Sequence, residues 1–164
     1  MGTLNTLFTE EISELSETKM LDLLKSKMKA GASMFVTAVR AIQKEYGSDG
    51  MNVIRKAFND QIIEQSQELK TKGDSLKFFC SYIGTPGIHE WKMNENSDSI
   101  KSYCFTKCMW AAVFKELNAQ DIGLWICDGD FIATKSFSSK IKLTRTKTLM
   151  EGHDSCNHTF YVEE

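Results

Sequence analysis

The chemically capable residues concentrate between Lys107 and Val162, which hold three of the five cysteines and two of the three histidines. Cys108 stands where an extended run gives way to a helical one. A sulfur at a helix start lies near unpaired backbone N–H groups and the positive end of the macrodipole, which favours the nucleophilic thiolate, and Lys107 beside it acts in the same sense. The alternative is a small buried residue at a strand-to-helix junction. Further along, Cys127, Asp130 and Thr134 recur at helical spacing, so a thiol and a carboxylate share one helix face. A nucleophile and its general base need that arrangement, and a polar rim beside a core cysteine has it too.

In the last part of the chain the period is two. Ile141, Leu143 and Arg145 point one way and Lys142, Thr144 and Thr146 the other, which sets Arg145 on the apolar side of its strand. A guanidinium there keeps its charge and needs an anion: either Asp130 in a buried pair, or the carboxylate of a ligand held bidentately. On the facing strand Cys156, His158 and Phe160 share a side. One sheet face is therefore expected to present Arg145, Cys156 and His158 to helices carrying Cys108, Cys127 and Asp130. Cys104 and Cys108 are the only cysteines close in sequence. They straddle a strand-to-helix junction, whereas structural zinc sites pair their ligands, so neither a metal nor another cofactor is expected.

Positioning these groups requires a scaffold, and the patterning supplies one. Residues 10–46 follow a helical period, with Thr9 to Glu11 suited to an N-terminus and Gly31 expected to divide the run in two. Gly47 ends the second helix, Ser48-Asp49-Gly50 turns, and a third helix covers about 51–69, with a short fourth over 75–82. After the only proline, Pro86, a hairpin is expected over 89–106, then helices from Cys108 to Leu117 and from Ile122 to Phe137. A second hairpin pairs Ile141–Leu149 with Cys156–Val162. The class is α+β: a helical N-terminal half packed with a small antiparallel sheet of about four strands, two hairpins separated by two helices.

The bulk numbers fit one domain over 1–164, helical over 1–83 and carrying the sheet and the site over 88–164. A chain of 164 residues buries a core without a metal or disulfide. Twenty basic residues scattered among 22 acidic ones give a net charge of -2 and no basic stripe, which speaks against nucleic-acid binding. The start lacks the features of a signal peptide, and no run approaches the roughly 18 apolar residues that span a bilayer. A cytoplasmic protein with no membrane partner is expected, its odd number of cysteines held as thiols. The amphipathic N-terminal helix leaves room for a homodimer.

The run Cys108-x-Trp110, Phe114-Lys115-Glu116-Leu117, then Cys127-Asp128-x-Asp130-Phe131, then Arg145-Thr146-Lys147-Thr148-Leu149-Met150-Glu151-Gly152-x-Asp154-x-Cys156 and Phe160 resembles the L-2-amino-thiazoline-4-carboxylic acid hydrolase family. The match is strong over the C-terminal third and general in the helical half. The resemblance implies hydrolytic opening of a cyclic amidine-thioether to N-carbamoyl-L-cysteine. Arg145, with Thr148 and His158, would hold the small-molecule substrate, and a thiolate of the Cys108, Cys127 and Cys156 group, or a water activated by Asp130, would attack C2. The expected function is thus a hydrolase of a small carboxylated heterocycle or C–N bond. The alternative is a non-catalytic sensor or carrier domain binding a small molecule or metal in the same cavity.

Overall fold

The computed structural model describes residues 16–163. Helix α1 (Glu17–Lys70) starts at Ser16, whose hydroxyl accepts the Lys19 N–H at 3.4 Å. The start expected at Thr9 lies outside the described residues. Gly31 does not divide the helix: it stays helical with open space around it, and the propensity cost of one exposed glycine, about 1 kcal/mol, is too small to break so long a run. The break is at Gly47, at φ 57° and ψ -139°. It brings Gly50 so close to Ile42 that a Cβ there would lie 2.6 Å from Ile42 Cγ2. Eight residues along a straight helix would separate the two by about 12 Å, so the chain bends sharply. Residues 48–50, expected as a turn, resume the helix directly.

The short α2 (Leu76–Cys80) is capped by Ser75 and brings Leu76, Phe79 and Cys80 into the core. Then follow β1 (His89–Asn96), β2 (Ile100–Cys108), α3 (Met109–Glu116), α4 (Gln120–Phe137), β3 (Ile141–Thr144) and β4 (Cys156–Val162). The four strands form one antiparallel sheet in the order β1-β2-β4-β3. Strand β3 stops at Thr144, short of the expected Leu149, because the chain leaves the ladder to build a 3-10 turn over Leu149–Glu151. The Thr148 hydroxyl caps that turn by accepting the Met150 N–H at 3.1 Å.

Alternation along the strands sorts the two sheet faces. Tyr103 and Phe105 on β2 and Cys156, His158 and Phe160 on β4 are buried, whereas Ser102 and Thr159 bond to each other at 3.0 Å on the opposite face. Two apolar clusters result. One joins Val39 of α1 to Val113, Phe114, Ile122 and Trp125 of α3 and α4, and the other joins α2 and Phe137 to the buried sheet face.

Candidate functional site

A cavity of about 200 Å³ is lined by residues 82–85, His89 of β1, Phe105 and Cys108 of β2, Trp110 of α3, Ile126, Cys127 and Asp130 of α4, and Cys156, His158 and Phe160 of β4. All three cysteines of the sequence reading meet here, with Asp130 and His158. A β-bulge makes this convergence possible. Cys108 lies three residues beyond Phe105, so strict alternation would turn it to the opposite face. In the β1–β2 pair, however, Glu90 faces Lys107 and Trp91 faces Phe105, which loops out Thr106 and sets Cys108 back on the cavity side.

The thiols are not equivalent. Cys127 is pushed up to about 12 by burial, and its sulfur lies 3.8 Å from Thr148 Oγ1, with no bond to Asp130. Cys156 donates to the same Thr148 oxygen at 3.6 Å and accepts the Leu149 N–H at 3.1 Å. Cys108 is engaged by no side chain among the described residues. The backbone N–H groups of Ala111 and Trp110 favour its thiolate, as its position at the start of α3 predicts, but burial outweighs them and the thiol is raised overall. Lys107 adds nothing, because it points outward to pair with Glu90 at 2.7 Å. A wider groove of about 650 Å³, bounded by Leu21, Gly87, Lys107, Lys115 and Leu149, reaches Cys108 and His89 from the other side.

Arg145 is buried as expected, with 8% of its side chain exposed, although it lies past the end of β3. Of the two partners the sequence left open, the structure has the protein's own carboxylates. Nη1 donates to the Cys127 carbonyl at 2.5 Å and lies 3.7 Å from Asp130, and Nη2 reaches Asp128 at 3.3 Å. Neither Arg145 nor Thr148 lines the cavity. Asp128 also pairs with Arg55 of α1 at 2.9 Å. Arg55, Asp128, Arg145 and Asp130 therefore form a series of alternating charge, and Asp130 in turn meets His158.

His158 ends that series. Its Nε2 lies 3.1 Å from Asp130 Oδ2, and Nδ1 is buried without any hydrogen-bond partner among the described residues. Such an orphaned nitrogen inside a protein requires a reason, since leaving it unpaired costs about 1–3 kcal/mol. In the neutral ring with Nε2–H directed to the carboxylate, Nδ1 is a lone-pair acceptor, and His158 lines the cavity. His89 also lines the cavity, though the residue patterns did not single it out. The signal was present in the hairpin: His89 pairs directly with Cys108, because the bulges at Asn94 and Thr106, one on each strand, cancel in the register. Among the described residues no group of three or more His, Cys, Asp or Glu is arranged to hold a metal ion, and no helix is long and apolar enough to cross a membrane.

The sequence model of the L-2-amino-thiazoline-4-carboxylic acid hydrolase family matches residues 25–160, reaching well into the helical half. No curated protein matches. Among solved structures, the chain is similar to a trafficking protein particle complex subunit 3 from Naegleria fowleri, covalently bound to palmitic acid, at 12% identity and a TM-score of 0.43 over 90% of this chain and 98% of that one. It is also similar to the phenol-responsive sensory domain of the transcription activator PoxR with phenol, at 9% identity and a TM-score of 0.44 over 77% of this chain and 73% of that one.

Proposed function

For a chain that belongs to the L-2-amino-thiazoline-4-carboxylic acid hydrolase family, we propose a thiol-dependent hydrolase acting on a small ring or C–N bond, with Cys108 as nucleophile, His158 as base and Asp130 holding the base. The observation that carries this reading is the His158–Asp130 pair at the cavity that Cys108 lines, with the second imidazole nitrogen buried and without a partner among the described residues. A cysteine whose thiol is raised by burial reacts at neutral pH only if a base removes its proton as it attacks, and the orphaned Nδ1 is such a base. Asp130 fixes the tautomer by accepting Nε2–H and stabilises the imidazolium that forms. The proton then passes to the departing nitrogen or sulfur; water, losing a proton to His158, attacks the carbon bound to the Cys108 sulfur, and the C–S bond breaks to return the thiol.

Cys127 and Cys156 serve in this reading as walls of the cavity, tied back by Thr148, and Arg145 acts on Asp130 rather than on substrate. Replacing Cys108 with Ala should lower turnover of 2-amino-thiazoline-4-carboxylate, or of a related cyclic amidine, by about 1000-fold or more, while Cys127→Ala and Cys156→Ala retain measurable activity. Full activity in Cys108→Ala would eliminate the nucleophile assigned here. The raised thiols of Cys108 and Cys127 favour a second reading, a carrier that leaves its ligand unchanged. That protein would bind a small apolar compound saturably and be stabilised by it, with the compound recovered intact.

A further inference from the structure

The two imidazoles of the cavity hold their protons in opposite senses. His158 offers a bare Nδ1, because its Nε2–H is directed to Asp130. In His89 the assignment is reversed: Nδ1 accepts the backbone N–H of Thr85 at 3.1 Å, and an accepting nitrogen carries no proton, so the neutral ring bears its hydrogen on Nε2. The turn that supplies this N–H is itself tight, since the Thr85 carbonyl accepts from both Ile88 N at 3.0 Å and His89 N at 2.8 Å. The ring is further set edge-on to Phe105, with centroids 5.6 Å apart. Burial lowers the His89 pKa, which keeps the ring neutral at neutral pH. Its Nε2–H meets no acceptor among the described residues.

His89 faces Cys108 directly across the β1–β2 ladder, a placement that brings Cβ atoms within roughly 4.5–5.5 Å. Both residues line the cavity and the wider groove. We propose that His89 is a catalytic hydrogen-bond donor, whose Nε2–H holds the negative charge that develops on the oxygen or nitrogen of a substrate C=O or C=N bond when the Cys108 sulfur adds to its carbon. This rests on Cys108 being the nucleophile. In the step, the S–C bond forms as the π bond breaks, and the electron pair moves to the heteroatom facing His89. The thiol proton goes to His158 Nδ1. Collapse re-forms the π bond and expels the leaving atom, which takes the proton from His158. The substrate class is therefore a small acyl or amidine compound whose carbon sits between a base on one side and a donor on the other.

An acyl donor and an alkylating agent separate this role from others, because thioester formation passes through an oxyanion and alkylation does not. With the full chain, the first probe is the burst of p-nitrophenolate from p-nitrophenyl acetate and the second is the rate of Cys108 labelling by iodoacetamide. His89→Asn keeps an acceptor for Thr85 N–H, but its shorter side chain leaves no donor at the Nε2 position, and it should slow acylation by about 100-fold with labelling changed less than about twofold. His89→Gln places an amide N–H near the lost position and should recover much of the loss; His89→Phe, which has no donor at all, should slow acylation at least as much as His89→Asn. Three results overturn the proposal. If His89→Asn acylates at the wild-type rate while Cys108→Ala gives no burst, His89 is not the donor and the nucleophile stands. If both rates fall equally, His89 sets thiol reactivity instead. A burst unchanged in Cys108→Ala removes the nucleophile itself and the donor role with it.

Discussion

Asp130 shows how one side chain serves two masters at the residue scale. Its Oδ2 takes His158 Nε2 at 3.1 Å and stands 3.7 Å from Arg145 Nη1, so the carboxylate that orients the imidazole is itself fixed by a buried guanidinium. Arg145 also donates to the carbonyl of Cys127, within α4, and lies over the Phe131 ring at 4.9 Å. Arg145→Met would keep much of the volume but strand both carboxylates on its side. Asp128 and Asp130 are about two-fifths exposed, at 41% and 39%, and Asp128 retains Arg55, so the full penalty of an orphaned buried charge does not apply. The expected loss is about 1–3 kcal/mol, read as a lower urea midpoint at unchanged slope. Burial of Arg145 was legible from strand alternation. Of its partners, Asp130 was one of the two that the sequence left open. Asp128 and the Cys127 carbonyl were not foreseen, because the sequence does not show that the chain leaves β3 at Thr144 and carries Arg145 toward α4.

Among the elements, α4 sets the geometry of the site by how closely it approaches its neighbours. Gly123 sits where a Cβ would lie 2.6 Å from Met150 Sδ and 2.8 Å from Phe114 Cγ, and Gly129 where it would lie 2.8 Å from Ile62 Cδ1. The second contact is with the tip of a flexible side chain on α1, which can turn aside. The first is with two buried side chains in the cluster behind the cavity wall. Gly123→Ala should therefore destabilise by about 1–3 kcal/mol, because overpacking exceeds the roughly 1 kcal/mol of helix propensity regained, whereas Gly129→Ala should be near neutral. Thermal melts of the two variants check the contrast. The helical periods of α3 and α4 and the shared face of Cys156, His158 and Phe160 follow from residue spacing alone. The looped-out Thr106 does not, since a bulge is a property of two strands meeting and leaves no mark in the periodicity of either.

For the whole molecule, the order of helices and strands and the α+β class could be read from where the period changes between 3.6 and two. The bend at Gly47 was legible too, because a glycine followed by Ser-Asp-Gly interrupts an apolar stripe. Gly31 misled because a glycine in open space and one at a bend look alike in sequence. Three thiols of the apolar clusters, Cys80, Cys108 and Cys127, couple the fold to pH. Burial pushes Cys80 up to about 11 and Cys127 to about 12, and raises Cys108. An unfolded thiol ionises near about 8.5, so above that pH the unfolded chain releases protons which the folded one retains, and stability falls until the folded values are reached. The urea midpoint should therefore hold steady in this respect through neutral pH and decline from about pH 9 upward, with a shallower decline in Cys127→Ala. A slope identical in that variant would mean that Cys127 ionises as easily folded as unfolded.

The hairpin that turns Cys108 inward has another consequence. Among the described residues β1 is a free edge of the sheet, and such an edge is an open template for a strand from another chain. Here Asn94 is looped out of the pairing and Glu90, Lys92 and Glu95 stand along the strand. An incoming strand finds neither an even row of backbone groups nor an uncharged surface. The irregularities in the β1–β2 pairing thus give the molecule a guard against growing by strand addition.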